Sequence, residues 1–128
     1  MYKSLLLVDD DVDDHEIFST ALENVYPLVS LTTSENGVDA FRKLSEQPSL
    51  PEIIFLDINM PVMNGLQFLT EIKKNEDLKK IPVIIYTTTS APETITLARQ
   101  LGANHFISKP ENFSHLEVLL KETLNTTY

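Results

Sequence analysis

The strongest constraint on the fold is a regular alternation of two kinds of segment along the chain. Short apolar runs, rich in branched side chains, occupy positions 5–8, 29–33, 53–56, 83–86 and 106–107. Runs of this length are typical of strands buried on both faces of a sheet. After each run, apolar residues recur three or four positions apart, as on one face of an amphipathic helix. The alternation predicts an α/β fold with a doubly wound, five-stranded parallel sheet and helices on both faces.

Helix-boundary signals fall between these segments. Pro27 closes the first helical segment, and Gly102 fits a left-handed cap after the fourth. Asp11 is placed as the N-cap of the first helix, with Asp14 three residues later in the manner of a capping box. Ser90 is placed as the N-cap of the fourth helix.

Length and composition narrow the class of protein. The 128 residues suit one domain, 1–128, with no output domain after the fifth helix. With 19 acidic against 10 basic residues, the net charge of −9 disfavours a nucleic-acid partner. The chain has no Cys, which excludes disulfides and thiolate sites. No apolar run has the length of a membrane span or a signal peptide, so we expect a cytoplasmic protein that binds no membrane.

Polar side chains follow four of the five predicted strands. The first strand is followed by Asp9 and Asp10, the third by Asp57, the fourth by residues 87–90 (TTTS) and the fifth by Lys109. The carboxyl ends of parallel strands meet at one edge, where such sheets bind ligands. Carboxylates suit an oxygen-seeking cation such as Mg²⁺, and lysine and hydroxyl groups suit phosphoryl oxygens. The pattern predicts a site for moving a phosphoryl group with Mg²⁺.

The acid run at 9–14 permits two other interpretations. Asp11, Asp13 and Asp14 are interpreted as solvated charge favoured by the N-terminus of the first helix. A calcium loop fails, because Asp14 stands where the loop needs glycine and Thr20 where it needs glutamate. Asp9 and Asp10 directly end a buried strand and remain site candidates.

The chain resembles a response-regulator receiver domain of two-component signalling from end to end. The motifs that carry the resemblance are LLLVDDD at 5–11, IIFLDINMPVMNG at 53–65, PVIIYTTTS at 82–90 and GANHFISKP at 102–110. The resemblance implies a flavodoxin-like sheet with strand order 2-1-3-4-5. That order would place the first and third strands side by side and bring Asp10 and Asp57 together.

The resemblance implies a phosphoacceptor and a metal site. Asp57 would accept a phosphoryl group from a phosphohistidine and form an acyl phosphate. Asp10 and Asp57 would bind Mg²⁺, with Mn²⁺ as a substitute, together with the backbone carbonyl of Asn59. Asp9 would contribute through a water molecule. Beyond its own phosphorylation and dephosphorylation, such a domain is not an enzyme.

The resemblance also implies how the signal leaves the site. Thr87 and Lys109 would bind phosphoryl oxygens, and Thr87 would move together with Phe106 as a switch. Phe106 has no hydroxyl, so a switch that depends on a tyrosine hydrogen bond is not expected here. Asn59 and Thr89 would flank the route of the hydrolytic water and tune the lifetime of the phosphoryl group.

The partners implied are signalling proteins. The phosphoryl donor would be a sensor histidine kinase or a histidine phosphotransfer protein, and a photoreceptor kinase is left open. Output would act in trans on an unidentified protein target, through the face formed by the fourth helix, fifth strand and fifth helix. A homodimer is also left open.

Two other functions share parts of this pattern. A small phosphatase of the haloacid-dehalogenase type also uses an aspartyl phosphate and Mg²⁺, but it needs a second Asp two residues after the nucleophile, where this chain has Asn59. A flavodoxin needs a hydroxyl-rich loop after the first strand, where this chain has acids that would repel a flavin phosphate.

Overall fold

Five strands and five helices alternate along the chain, as the apolar pattern predicts. The computed structural model describes residues 2–89 and 91–128. In chain order the elements are β1 (Ser4–Val8), α1 (Val12–Val25), β2 (Ser30–Ser34), α2 (Gly37–Glu46), β3 (Ile53–Leu56), α3 (Gly65–Lys74), β4 (Val83–Thr87), α4 (Pro92–Gln100), β5 (His105–Ser108) and α5 (Phe113–Leu124). Within these residues, no helix combines the length and apolar character needed to cross a bilayer.

The strands form one parallel sheet in the order β2-β1-β3-β4-β5, which confirms the predicted topology. Successive side chains of a strand point to opposite faces, so each central strand supplies two cores. In β1, Leu5 and Leu7 pack with residues of α1 and α5, whereas Leu6 and Val8 pack with residues of α2, α3 and α4. The sheet is therefore covered on both faces.

The buried stripes of the helices are narrower than the sequence pattern suggests. In α1, Phe18, Ala21 and Leu22 are buried, but Ile17 is 46% exposed. Val38 in α2 is likewise 53% exposed. Ile17 and Val38 lie at the edges of the helix surface that faces the sheet. A helix packed on an open sheet buries only the part of its surface that faces the sheet.

Three of the predicted helix-boundary signals are present among the described residues, and the first is the end of α1 at Val25, two residues before Pro27. Asp11 caps α1 by accepting hydrogen bonds from the backbone N–H groups of residues 13 and 14, and Gly102 takes a left-handed φ of 107° after α4. Asp14 does not complete a capping box, because its carboxylate pairs with a lysine instead. Ser90 lies outside the described residues, and the N-cap of α4 is Ala91.

Val62, in the loop between β3 and α3, is strained. Its φ is 68°, a left-handed conformation that β-branched residues rarely adopt, and its side chain is 83% exposed. Val62→Gly removes this strain at no loss of packing and should raise the free energy of unfolding by about 1 kcal/mol in urea titration. Val62→Ala keeps the Cβ atom, so its free energy of unfolding should rise by less than that of Val62→Gly. A lower midpoint for the glycine variant would contradict this account.

Candidate functional site

The parallel register places the acidic residues together at the carboxyl edge of the sheet. Val8 pairs with Leu56, so the residues that follow them, Asp9 and Asp57, are neighbours. The backbone N–H of Asp57 donates to the carbonyl of Val8 at 2.9 Å. Carboxylate oxygens of Asp9, Asp10 and Asp57 all lie within 4.8 Å of one another. The juxtaposition expected from the strand order is therefore present.

The three carboxylates differ in exposure. Asp9 is fully buried and Asp57 is 5% exposed, whereas Asp10 faces solvent. Burial raises the pKa of Asp9 to about 6, against the opposing effects of Lys109 and of the hydrogen bond from the N–H of Asp11. The nearby charge of Asp57 adds to the rise. Asp9 thus carries its charge at a free-energy cost that a cation would relieve.

Lys109 reaches the cluster from the end of β5. Its backbone N–H donates to the carbonyl of Thr87 at 2.9 Å, which fixes the loop to β4. Its Nζ lies 2.7 Å from Asp9, 2.7 Å from Asp14 and 3.3 Å from Asp57. Burial alone would lower the pKa of Lys109, but the hydrogen bond to Asp14, the ion pair with Asp9 and the charge of Asp57 outweigh burial and raise it. Lys109 is therefore a fixed positive charge beside Asp57.

Hydroxyl and amide groups close the site on the side of β4. Thr87 is fully buried, and its Oγ1 accepts from the N–H of Thr89 at 3.4 Å. The side-chain amide of Asn59 donates to Thr89 Oγ1 at 2.6 Å. The backbone N–H of Asn59 donates to Asp57 Oδ1 at 3.4 Å. The structure thus brings Asn59 and Thr89, predicted as a pair, into direct contact.

Phe106 lies beside the site, on β5. It pairs with Ile85 of β4, two residues before Thr87. Its side chain is half-buried and packs against the core on the face that carries α2, α3 and α4. This position connects Phe106 to the strand that ends in Thr87.

Three residues at the site were not predicted from the sequence as site residues. Asp14 contacts Lys109, and His15 Nε2 lies 2.5 Å from the carbonyl of Asp9. The ring of Tyr86 lies below Lys109, with Nζ 5.5 Å from the ring centre, and burial raises the pKa of its hydroxyl. Asp14 does not conform to the interpretation as solvated charge. Its place in the first turn of the helix that directly follows the acidic strand end was the available signal.

The donor set fits a divalent cation that prefers oxygen. The cluster offers carboxylate oxygens and no sulfur or imidazole nitrogen, as Mg²⁺ and Mn²⁺ sites do. Among the described residues, Asp9 Oδ2 is buried without a well-oriented hydrogen bond, although Lys109 Nζ is close by. A buried oxygen with an unused lone pair is a group that a cation, or a water bound to one, would satisfy.

Fold and site together define a flavodoxin-like domain whose acidic edge, with a lysine beside it, fits a divalent cation. The chain belongs to the response regulator receiver domain family, whose family model matches residues 5–121.

Curated relatives include single-domain and longer regulators. Response regulator Rcp1 of Synechocystis sp. is 31% identical over 119 residues, which cover 89% of this chain and 81% of that protein. The CpxR homolog of Haemophilus influenzae, a transcriptional regulatory protein, is 36% identical over 120 residues, covering 94% of this chain. This chain spans only 49% of the length of that regulator.

Solved structures agree with the fold over nearly the whole chain. The Mn²⁺-bound form of Rcp1 superposes with a TM-score of 0.87 at 29% identity, covering 98% of this chain and 97% of the other. The phosphorylated cyanobacterial phytochrome response regulator RcpA gives a TM-score of 0.87 at 30% identity, covering 96% and 91%. These matches give no support to the haloacid-dehalogenase alternative.

Proposed function

We propose that this chain is a phosphoacceptor switch in which Asp57 takes a phosphoryl group from a histidine kinase or a histidine phosphotransfer protein. The observation that carries the proposal is the surroundings of Asp57. Its carboxylate lies among Asp9 and Asp10, with oxygens within 4.8 Å, and 3.3 Å from the ammonium of Lys109. A carboxylate flanked by a cation-binding cluster and a fixed cation can be approached by a phosphoryl group.

The transfer itself needs little from the protein besides position and charge. An oxygen of Asp57 attacks phosphorus, a P–O bond forms, and the P–N bond to the donor imidazole breaks with its electron pair left on nitrogen. Bound at Asp10, Asp57 and the carbonyl of Asn59, with Asp9 acting through water, Mg²⁺ or Mn²⁺ would offset the charge of the phosphoryl oxygens. The phosphorylated state of RcpA and the Mn²⁺-bound state of Rcp1 support this assignment by similarity.

Thr87 and Lys109 supply the remaining contacts to phosphoryl oxygens. Lys109 offers its ammonium from one side, and the buried Thr87 hydroxyl lies at the end of the neighbouring strand. The hydrogen bond between Asn59 and Thr89 covers the side from which water would approach, so these two residues tune how long the phosphoryl group lasts.

The output runs through Thr87 and Phe106 to the face of α4, β5 and α5. Phosphorylation stabilises one of two arrangements of this face by the contacts it adds, and a protein target binds that arrangement in trans. Because RcpA is a phytochrome response regulator, a photoreceptor kinase is one phosphoryl donor to test. The same face can instead bind a second copy of this chain and form a homodimer.

The proposal predicts a single labile adduct on Asp57. Incubation with MgCl₂ and phosphoramidate should add one phosphoryl mass to the intact protein, and Asp57→Asn should abolish the adduct because the amide is not a nucleophile. Omitting the metal should slow the reaction by about 100-fold or more, because the carboxylates then repel the donor.

Asp13→Asn is the matched control for this experiment. Asp13 is an exposed carboxylate on the first turn of α1, outside the acidic cluster. Its loss should leave the adduct unchanged. An undiminished adduct in Asp57→Asn would refute the assignment of the acceptor, and steady hydrolysis of phosphate esters would point to the phosphatase instead.

A further inference from the structure

The hydrogen bonds of Lys109 single out Asp14. Nζ donates to Asp14 Oδ2 at 2.7 Å and to Asp57 Oδ2 at 3.3 Å. Its 2.7 Å contact with Asp9 Oδ2 is an ion pair without good hydrogen-bond orientation. The best hydrogen bond of Lys109 therefore goes to Asp14, a residue outside the cluster of Asp9, Asp10 and Asp57.

The other two partners of Lys109 belong to the cluster that fits a divalent cation. When Asp9 and Asp57 turn their oxygens to a cation, Lys109 must give up part of its contact with both. An ammonium group has three donors, and a buried one without an acceptor is costly. The side chain of Lys109 is only 11% exposed, so water offers it few replacements where it stands.

We infer that Asp14 is a positioning residue that keeps Lys109 in the acceptor site while Asp57 binds the divalent cation directly and Asp9 binds it through water. This inference rests on the proposed function. Asp14 is suited to the role because it lies in the first turn of α1, tied by the cap at Asp11, and its side chain is 27% exposed. It can therefore hold the ammonium without competing for the cation.

The inference predicts that Asp14 affects cation affinity through Lys109. In Asp14→Asn the side chain at position 14 offers only a neutral amide oxygen, so the ammonium turns to the two carboxylates that the cation needs, and lysine and cation compete directly. In calorimetric titration of the full chain with MgCl₂, Asp14→Asn should weaken binding about tenfold. In a Lys109→Met background the same substitution should change the dissociation constant by about twofold or less, because only the loss of a nearby charge remains.

Two further variants separate positioning from general charge. Asp14→Glu should restore most of the affinity, since its carboxylate can still meet Lys109. Asp13→Asn removes a charge of the same sign from the neighbouring position and should shift affinity by about twofold or less. Lys109→Gln replaces Lys109→Met if the latter fails to fold, as judged by its cooperative thermal transition.

The outcomes distinguish the inference from the function it rests on. If the wild-type chain binds no Mg²⁺, the proposed metal-dependent acceptor is wrong and the inference falls with it. Alternatively, the wild type binds Mg²⁺ while Asp14→Asn weakens Mg²⁺ binding equally in the wild-type and Lys109→Met backgrounds. In that case Asp14 acts only as a distant charge. That second result overturns the inference and leaves the proposed function intact.

Discussion

Gly65→Ala is expected to destabilise the fold by about 3 kcal/mol, at the upper end for a single added methyl group. Gly65 is the first residue of α3, and its N–H donates to the carbonyl of Ile58 at 2.9 Å. A Cβ atom here would lie 2.2 Å from the carbonyl oxygen of Asp57 and 2.6 Å from the Cα of Ile58. These are backbone atoms of the loop that holds Asp57, so they cannot rotate away.

The same clash should disturb Asp57, the proposed phosphoacceptor. Relief requires that α3 or the loop after β3 move, and either shift displaces Asp57 from Asp9 and Lys109. Phosphorylation by phosphoramidate should therefore slow along with the loss of stability, as measured by urea unfolding and intact mass on the same preparation.

Gly37→Ala is the matched control for this prediction. Gly37 also begins a helix, but the added Cβ atom would meet Met63, whose Sδ lies 2.7 Å away on a flexible side chain. Methionine adapts to such changes, so the loss should stay below about 1 kcal/mol. Equal losses for the two glycines would mean that the close approach to the Asp57 backbone is not what matters at Gly65.

The alternation of strands and helices could be predicted because its signals are local. Each strand is a short apolar run, each helix has a periodic stripe, and the cap at Asp11 follows from one residue type at one position. Parallel strands share an edge at their carboxyl ends, and the strand order implied by the family resemblance makes the first and third strands neighbours, so the meeting of Asp10 and Asp57 follows from that order. The expectation for the fold was confirmed, and the three carboxylates lie close together at the predicted edge.

Contacts that depend on rotation and depth could not be predicted in the same way. Whether Asp14 points to solvent or to Lys109 depends on how α1 is turned about its axis, which the packing of Phe18 and its neighbours sets. The tight approach of Gly65 to Asp57 depends on a distance between two loops. The apolar strand pattern predicts a core position for Tyr86, and only the structure shows Lys109 above its ring.

Asp9→Asn is expected to stabilise the metal-free protein at neutral pH by about 2 kcal/mol. Asp9 is fully buried, and burial raises its pKa from 3.8 to about 6 despite its contact with Lys109. At neutral pH the folded protein must therefore hold a charge that the unfolded chain holds more easily. Asparagine keeps the shape of the side chain and removes this cost.

The sign of the pH dependence follows from the raised pKa. Between the unfolded value of 3.8 and the folded value of about 6, the folded state binds more protons at Asp9 than the unfolded state. The contribution of Asp9 to stability is thus fully present below the lower value and is lost as the pH rises through the higher one. The advantage of Asp9→Asn should be near zero at about pH 4 and complete by about pH 7.5.

The test is urea unfolding of both proteins with EDTA across this pH range, with Asp10→Asn as the control. Asp10 belongs to the same cluster but faces solvent, so its substitution should show no such pH-dependent gain. With MgCl₂ the order should reverse, because the wild type gains binding energy that the asparagine variant loses. The account would be refuted if the difference in unfolding free energy between Asp9→Asn and the wild type stayed constant at all pH values. It would also be refuted if Asp9→Asn were less stable than the wild type in EDTA, because the buried charge of Asp9 would then not destabilise the fold.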